Sequence, residues 1–298
     1  MGITAIVLGA AAGGGFPQWN CNCEVCRLAW AGDPRVRPRT QASLAVSADR
    51  QRWTLLNASP DLRAQILATP ALQPGGLRGS PIESVVLTGA EIDQTAGLLS
   101  LRERSPFSLM ATATTLAAIA DNPMFGALVS DVVRRKAITP GEKFPLGGLQ
   151  AELFMVPGKL PLYLEGENPE TAAESAANVG VEITDGRKRL AYVPGAAAVT
   201  PGLRERLSRA DVLLFDGTLS TDDEMIRTST GTKAGRRMGH MPIEGEGGSL
   251  EALQGLSARK IFVHINNTNP VLVDGSPERC RVEAAGWEVA FDGMEIVL

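Results

Sequence analysis

The sequence has few of the residues that usually carry metal and redox chemistry: two histidines and four cysteines in 298 residues. Its longest apolar run, residues 109–120, is too short to cross a bilayer and is interrupted by three threonines. The 29 basic and 33 acidic residues give a net charge of −4, which provides no basic field to hold a polyanion. We therefore expect neither a membrane span nor nucleic-acid binding.

The composition is nevertheless that of a folded protein. Apolar residues make up 44% and charged residues 21% of the chain, which excludes disordered, collagen-like and coiled-coil proteins. A chain of this length can bury a large core without disulfides. No repeat or linker marks a boundary, so we predict one domain over residues 1–298. The start of the chain lacks the basic leader of a secretory signal, and we expect a cytoplasmic protein.

Apolar runs typical of β-strands alternate with helical patterns along the chain. Two β-rich halves, each with helices after its strands, predict two sheets packed face to face with helices outside, an αββα four-layer sandwich. Polar, aperiodic stretches at residues 165–177 and 219–240 predict surface loops beside a site. The predicted strands are residues 3–8, 42–46, 53–56, 84–88, 107–111, 151–156, 179–184, 188–193, 211–215, 260–265 and 287–291. The predicted helices are residues 61–68, 94–104, 113–122, 202–209 and 249–256.

Three of the four cysteines, Cys21, Cys23 and Cys26, form a Cys-x-Cys-x-x-Cys run. Three thiolates so close together can bind one tetrahedral Zn²⁺ with a fourth ligand from elsewhere in the fold. Such a site leaves no open position, so we predict a structural zinc loop at residues 21–26. The candidates for the fourth ligand are Asn267, Asn269 and Cys280.

Both histidines and two aspartates stand near the ends of apolar runs. His264 closes KIFVH ahead of INNTNP, and His240 lies in RRMGH after a polar loop. Asp93 follows SVVLTGAEI, and Asp216 follows DVLLF. Burying an unpaired carboxylate costs on the order of several kcal/mol, a cost that a bound cation removes. Each of the four could alone be structural, but together they predict one metal site with catalytic roles.

Taken together, these motifs resemble the metallo-β-lactamase superfamily and, within it, the family of the B proteins of pyrroloquinoline quinone (PQQ) biosynthesis. The matching stretches include AAGGGFPQWNCNCEVC, LLNASPDLR, LTGAEID, LLFDGT and FVHINNTNP, and they run from near residue 8 to residue 272. The resemblance implies an αββα sandwich with a metal site at one edge, between the two sheets.

The chain departs from the superfamily pattern at several ligand positions. Where the superfamily has His-x-His-x-Asp-His, this chain has residues 89–94, GAEIDQ, which implies that one of two metal sites has lost its ligands. Gly158 and Lys159 stand where a further histidine is expected. The PQQ B proteins usually have histidine at the position of Gln94, and a glutamine amide is a weaker ligand than imidazole.

The family resemblance implies an iron-dependent oxygenase that hydroxylates the tyrosine ring of the Glu-Tyr-derived precursor of PQQ. Two histidines, a carboxylate and open positions agree with non-haem Fe²⁺, whereas a dinuclear hydrolase needs two ions. We predict His264, Asp93 and His240 as Fe²⁺ ligands, with Asp216 as a further ligand or as a base that orients one.

Several basic residues are candidates for binding the substrate that the resemblance implies. Lys159, Arg37 and Arg39 are predicted to bind carboxylates of the precursor, and Gln94 is a further contact or a weak metal ligand. Two other functions stay open: a carrier that binds PQQ or a late intermediate and assists its transport to the periplasm, and a residual hydrolase. The sequence does not give the oligomeric state, and a homodimer is one option.

Overall fold

Two seven-stranded sheets make up most of the structure, a computed structural model that describes residues 2–166 and 170–298. The strands of the first sheet are β1 (Thr4–Gly9), β2 (Ser43–Ser47), β3 (Trp53–Leu56), β4 (Ile82–Val86), β5 (Phe107–Ala111), β6 (Val133–Ala137) and β14 (Glu295–Val297). Their order across the sheet is β14-β1-β2-β3-β4-β5-β6. Neighbours from β14 to β3 are antiparallel, and those from β3 to β6 are parallel.

The second sheet contains the remaining strands. These are β7 (Lys143–Leu146), β8 (Leu149–Gly158), β9 (Ala173–Thr184), β10 (Arg189–Val193), β11 (Val212–Asp216), β12 (Arg259–Val263) and β13 (Trp287–Val289). Their order is β13-β12-β11-β10-β9-β8-β7, with parallel neighbours from β10 to β13. All five residues of β11, VLLFD, are buried, as expected for a parallel strand that is covered on both faces.

The helices are short, and several begin at recognisable caps. They are α1 (Glu24–Trp30), α2 (Leu62–Ala68), α3 (Ile92–Thr95), α4 (Ala113–Ala120), α5 (Pro201–Leu207), α6 (Glu224–Arg227), α7 (Ser249–Ala252) and α8 (Pro277–Ala284). Before α5 and α8, the hydroxyls of Thr200 and Ser276 each accept a backbone N–H, and proline follows at the first helical position. Within residues 2–166 and 170–298, no helix is both long and apolar enough to cross a membrane.

Three apolar layers hold these elements together. Between the two sheets, Leu44 and Val86 of the first sheet pack in one cluster with Val181 and Leu214 of the second. Side chains alternate along a strand, so the neighbours of Leu214 face the opposite side. There, Leu213 and Phe215 pack with residues of α5 and α8. A third cluster joins the outer face of the first sheet to α2 and α4. The predicted αββα sandwich is confirmed.

Several predicted elements coincide with the structure, and others do not. The predicted strands 53–56 and 107–111 are β3 and β5, whereas β6, β7, β14, α1, α8 and α6, which lies within the predicted loop 219–240, were not predicted. Residues 173–177, predicted as loop, begin β9, because their backbone pairs with the end of β8 whatever the side chains are. Residues 167–169 of that predicted loop lie outside the described residues. The predicted helix 94–104 is instead the end of α3 and a 3₁₀ helix, Ala96–Leu101.

The ends of the parallel strands bring chemically active residues to one edge of the sandwich. Asp216 is the last residue of β11, and His264 directly follows the neighbouring strand β12. Ala11 joins the sheets at this edge, since it forms bridges to both Gln41 and Ile265. In sheets of this kind, the carboxyl ends of parallel strands are the usual place for a binding site.

Candidate metal centre

A cleft of about 390 Å³ lies at this edge, and predicted site residues line it. Asp93, Gln94, His240 and His264 are part of its wall. Asp216 is fully buried and is in contact with the wall through His240. The volume is typical of a site for a small molecule.

The two histidines and two aspartates form one hydrogen-bonded network. The Nδ1 atom of His240 is 2.7 Å from Oδ2 of Asp216, and Nε2 of His264 is 2.8 Å from Oδ2 of Asp93. The hydroxyl of Thr218 is 3.1 Å from Nδ1 of His240 and 2.8 Å from Nδ1 of His264. It also lies 2.6 Å from Oδ1 of Asp216, so it connects three of the four predicted site residues.

The network is compact enough to hold one metal ion. Asp216, His240 and His264 each offer a ligand atom, and these atoms lie within 4.8 Å of one another. The imidazole rings are stacked with their centroids 5.1 Å apart. Asp93 joins this group through its contact with Nε2 of His264. Imidazole and carboxylate donors with access from a cleft fit a catalytic Zn²⁺ or non-haem Fe²⁺.

His264 has an unusual backbone conformation. Its φ angle is 56°, in the left-handed region that non-glycine residues rarely adopt. Hydrogen bonds on the following residues hold it there: the N–H of Ile265 donates to Ala10 O at 2.9 Å, and that of Asn266 donates to Thr218 O at 3.0 Å. Backbone strain of this kind is concentrated at functional sites, where the surrounding structure enforces it.

The charged groups of the network stabilise one another against burial. Burial raises the pKa of Asp93, but its hydrogen bond to His264 and the charges of both histidines outweigh this, so that the pKa lies below its ordinary value. Burial lowers the pKa of His264, but its bond to Asp93 and the carboxylate charges leave that pKa raised. In this geometry the two carboxylates therefore stabilise the protonated form of His264.

Gln94 faces the cleft but has a local structural role. The residue is 8% exposed, and its Oε1 accepts a hydrogen bond from the N–H of Glu91 at 3.2 Å, which forms a capping box at the start of α3. A Cβ atom at Gly89 would lie 2.6 Å from this oxygen. The glycine therefore makes room for the bond that fixes Gln94 beside the metal site.

The cationic residues predicted to bind substrate have different surroundings. Lys159 lines the cleft. Arg39 is 5% exposed, and it donates from Nε to Ala290 O and from Nη1 to Arg37 O, both at 2.9 Å. Arg37 is exposed with its guanidinium 5.5 Å from the ring centroid of Phe291. Neither arginine is among the described residues that line the cleft, so their positions do not support the predicted role.

The three clustered cysteines meet at the start of α1. Cys21, Cys23 and Cys26 each offer a sulfur atom within 4.8 Å of the others. The Cys23 sulfur caps α1 by accepting from the N–H of Cys26 at 3.5 Å. The hydrogen bond from the Cys23 thiol lowers the pKa of Cys26 to about 7, and the same bond raises the pKa of Cys23. Thiolate is the form that binds metal, so the cluster is suited to a soft divalent ion.

Asn267 is the fourth-ligand candidate that contacts these sulfurs. Its backbone oxygen is 3.8 Å from the Sγ atoms of both Cys23 and Cys26, and its side-chain amide is 3.3 Å from that of Cys26. In a tetrahedral zinc site, sulfur and oxygen ligands are separated by roughly 3.6 Å. Asn269 instead bonds to backbone groups of residues 217, 218 and 271, and Cys280 is exposed on α8.

Comparison with known proteins agrees with this geometry. A protein-family model described as the β-lactamase superfamily domain matches residues 52–265 of this chain. Coenzyme PQQ synthesis protein B of Methylobacterium nodulans is 57% identical over 297 residues, which cover 99% of each chain. The protein of the same name from Methylorubrum extorquens is 55% identical over 98% of this chain and 99% of its own. The crystal structure of Zn²⁺-bound PqqB from Methylobacterium extorquens is 55% identical, with a TM-score of 0.97 and coverage of 99% and 100%.

The chain belongs to the PqqB family of the metallo-β-lactamase superfamily. The family resemblance predicted from the sequence is therefore confirmed. This PqqB-family chain has two groups of residues that can bind a metal ion. That observation agrees with the Zn²⁺ in the structure of PqqB from Methylobacterium extorquens.

Sequence reasoning missed part of the centre of this PqqB-family site. Thr218 connects Asp216, His240 and His264, yet a threonine carries no signal of its own; only its place in LLFDGT, two residues after Asp216, could have drawn attention to it. Lys233 and Arg237 line the cleft from the segment that was predicted as a loop beside a site. Whether Lys233 and Arg237 reach the cleft depends on the path of this segment in the folded chain, which local sequence patterns do not predict.

Glu224 of this PqqB-family chain is a buried acid between the histidine–aspartate network and the three clustered cysteines. Its carboxylate accepts hydrogen bonds from the Ser220 N–H and, at 2.5 Å, from the Thr268 hydroxyl, and its side chain is fully buried. Burial raises its pKa from 4.5 to about 7. The folded state therefore binds a proton more strongly than the unfolded state does. This stabilisation is present below pH 4.5 and is lost as the pH rises through 7.

We expect Glu224→Gln to remove this dependence on pH. The free energy of unfolding of the variant should rise relative to wild type by about 2.5 kcal/mol between pH 5 and pH 8, because one pKa unit corresponds to roughly 1.4 kcal/mol. Urea denaturation at several pH values measures the difference, and the exposed Glu142→Gln serves as the control. A constant difference between Glu224→Gln and wild type would contradict the raised pKa.

Proposed function

We propose that this protein acts in PQQ biosynthesis as an Fe²⁺-dependent oxygenase that hydroxylates the tyrosine ring of the Glu-Tyr-derived precursor. The observation that carries the proposal is the convergence of His240, His264 and Asp216 on one point at the base of a cleft, with Asp93 beside them. This donor set and its open side are those of a mononuclear non-haem iron site. Family membership supports the pathway, since the similar proteins are named for PQQ synthesis.

His240 and His264 would hold the iron with Asp216 or Asp93, and the metal would supply the activation of dioxygen. Thr218 fixes both rings, because its hydroxyl contacts Nδ1 of each. The buried Asp216 orients His240 and balances positive charge at the site. The cleft would hold the phenol ring of the substrate next to this cluster and shield the reaction from bulk water.

Dinuclear hydrolysis has less support from the same residues. A two-metal mechanism requires a second set of ligands to clamp both the attacking and the leaving oxygen. Here Gly89 and Gly158 have no side chain to offer. Glu91 is engaged elsewhere, since its carboxylate is 3.2 Å from the Lys159 ammonium and also accepts from the N–H of Leu162. The arrangement therefore favours one ion over two.

We further propose that Cys21, Cys23 and Cys26 hold a structural zinc ion with Asn267 as the fourth ligand. The contacts of Asn267 with two of the sulfurs support this choice over Asn269 and Cys280. Zinc bound in this way would attach the loop that follows β12 to the start of α1. It would serve folding rather than turnover, since a site with four protein ligands has no open position.

The proposed hydroxylation inserts one atom of dioxygen into the ring C–H bond and releases the other as water, which requires two electrons and two protons from an external reductant. It is tested by supplying Fe²⁺, the precursor and excess ascorbate as that reductant without oxygen, then admitting oxygen and weighing the product. We expect a product heavier by one oxygen atom, with consumption of dioxygen.

Gln94→His is expected to bind Fe²⁺ about tenfold more tightly than wild type, because imidazole is a stronger ligand than a primary amide. Gln94→Ala is the control, because it also loses the capping bond but gains no ligand.

A carrier function is the second candidate, and the position of Gln94 favours it. The amide oxygen is occupied in the capping box at α3, which weakens its contribution to a metal site. Tight binding of PQQ or the precursor by the iron-loaded protein, with no hydroxylated product from wild type or Gln94→His, would support the carrier and contradict the oxygenase.

A further inference from the structure

The mouth of the cleft carries three cations from two separate segments. Lys159 comes directly after the last residue of β8. Lys233 and Arg237 belong to the segment between β11 and β12. Lys233 and Arg237 are exposed, and neither has an ion-pair partner among residues 2–166 and 170–298. Two unpaired cations at the entrance of a cleft are an attractive field for an anionic ligand.

Two carboxylates face these cations, and they are held in different ways. Glu91 is fixed by its place at the start of α3, and its carboxylate accepts hydrogen bonds from Lys159 and from the N–H of Leu162. The carboxylate of Glu165 has one hydrogen-bond donor in the described part of the chain, Nζ of Lys159 at 2.5 Å. Glu91 is therefore part of the framework, whereas a single side chain holds the carboxylate of Glu165.

Lys159 itself is positioned firmly. Its side chain is 13% exposed, and a Cβ atom at Gly239 would lie 2.9 Å from its Cγ, so the lysine stem packs directly against this glycine. The side chain of Glu165 is 10% exposed, although its segment forms the edge of the cleft. Its bond to Lys159, with the charges of Lys159, Lys233 and Arg237, holds the pKa of Glu165 below its ordinary value. All three cations thus act on one carboxylate position.

We propose that Glu165 occupies a carboxylate subsite of the cleft and is displaced when a ligand with two or more carboxylates binds. The three cations and two glutamates at the mouth leave an excess of one positive charge, which becomes two when Glu165 moves out. A polycarboxylate matches that charge better than a monoanion does. Leu162, Met225 and Met238 also line the cleft, so a compact ring that bears the carboxylates fits the wall between them.

This inference rests on the proposed function only in taking the cleft as the ligand site. It does not depend on turnover, because exchange of one carboxylate for another involves no chemistry at the metal. An internal carboxylate that competes with the ligand lowers the apparent affinity, so its removal must strengthen binding. Had Glu165 merely oriented Lys159 for the ligand, its removal would weaken binding instead.

The test is a calorimetric titration of the full-length protein, at matched metal content, with benzene-1,3,5-tricarboxylate alone. Glu165→Gln is expected to bind it about tenfold more tightly than wild type, since an ordered charge-assisted bond no longer has to be broken. Adding Lys159→Met to that variant should abolish the gain. Glu142→Gln, an exposed change of the same charge far from the cleft, should bind as wild type does.

Equal or weaker binding by Glu165→Gln would overturn the proposal, and so would an equal gain in Glu142→Gln, which would indicate a general charge effect. Circular dichroism and the melting temperature show whether each variant is folded. A failed hydroxylation assay would count against the oxygenase but would leave this titration unchanged, so the two proposals can be rejected separately.

Discussion

Replacement of His264 by alanine is expected to lower the affinity for Fe²⁺ by at least about 100-fold, because even partners outside the ligand shell often contribute about 10- to 100-fold. Hydroxylation of the precursor should fall below detection. His264 contributes one ring nitrogen to the Thr218 contact and the other to Asp93. Its loss removes a ligand and leaves two carboxylates facing a site with one imidazole. Metal content after dialysis and product mass measure both effects.

The strained backbone of His264 requires a second variant. Alanine is disfavoured at a φ of 56°, whereas asparagine tolerates this region. His264→Asn should therefore retain the fold and still lose iron and turnover. Thr218→Val removes the hydroxyl between the two rings but keeps both imidazoles, and we expect a smaller loss, of about 10- to 100-fold in affinity. Normal turnover by a folded His264→Asn protein would exclude this site as the oxygenase centre.

The meeting of Asp216 and His264 could be predicted from the sequence because the ends of neighbouring parallel strands lie at the same edge of a sheet. Asp216 ends β11 and His264 follows β12, its direct neighbour, so both must emerge at one edge. Strand β11 could be predicted because it is buried on both faces and reads as a continuous apolar run. Strand β6, VRRKA, was missed because four of its five residues are exposed and basic or small, which leaves no apolar pattern.

The sequence alone does not separate Arg39 from Lys159 as a substrate-binding residue. Arg39 and Lys159 are both basic residues that follow closely after a proline in the sequence, and nothing local separates them. In the structure, Nε and Nη1 of Arg39 donate to the backbone oxygens of Ala290 and Arg37, while Lys159 lines the cleft. Ala290 lies 251 residues after Arg39 in the sequence. A contact between residues so far apart therefore determines that Arg39 has a structural role and does not line the cleft.

The largest effect on stability is expected from Cys26→Ser. A structural zinc site contributes on the order of 10 kcal/mol, because its ligands come together only in the folded chain. Even a partial loss of about 5 kcal/mol should lower the melting temperature by about 8 °C, because the entropy of unfolding of a chain of 298 residues is about 0.6 kcal/mol/K. The exposed Cys280→Ser should retain both its zinc and its melting temperature. A Cys26→Ser protein that keeps stoichiometric zinc would contradict the proposed ligand set.

Loss of zinc should also reach the active site, because Asn267 lies three residues after His264. The thiol contacts of Asn267 hold one end of this short segment, and the bond from the Asn266 N–H to Thr218 O holds its middle. Without zinc, His264 can relax from its strained φ, and we expect about tenfold weaker Fe²⁺ binding in Cys26→Ser, as for other partners that orient a ligand. Chelation separates this effect from the change in packing at Cys26: a zinc-selective chelator should lower the melting temperature of wild type and leave that of Cys26→Ser unchanged. Undiminished Fe²⁺ affinity in the zinc-free protein would show that the Asn267 contacts do not position His264.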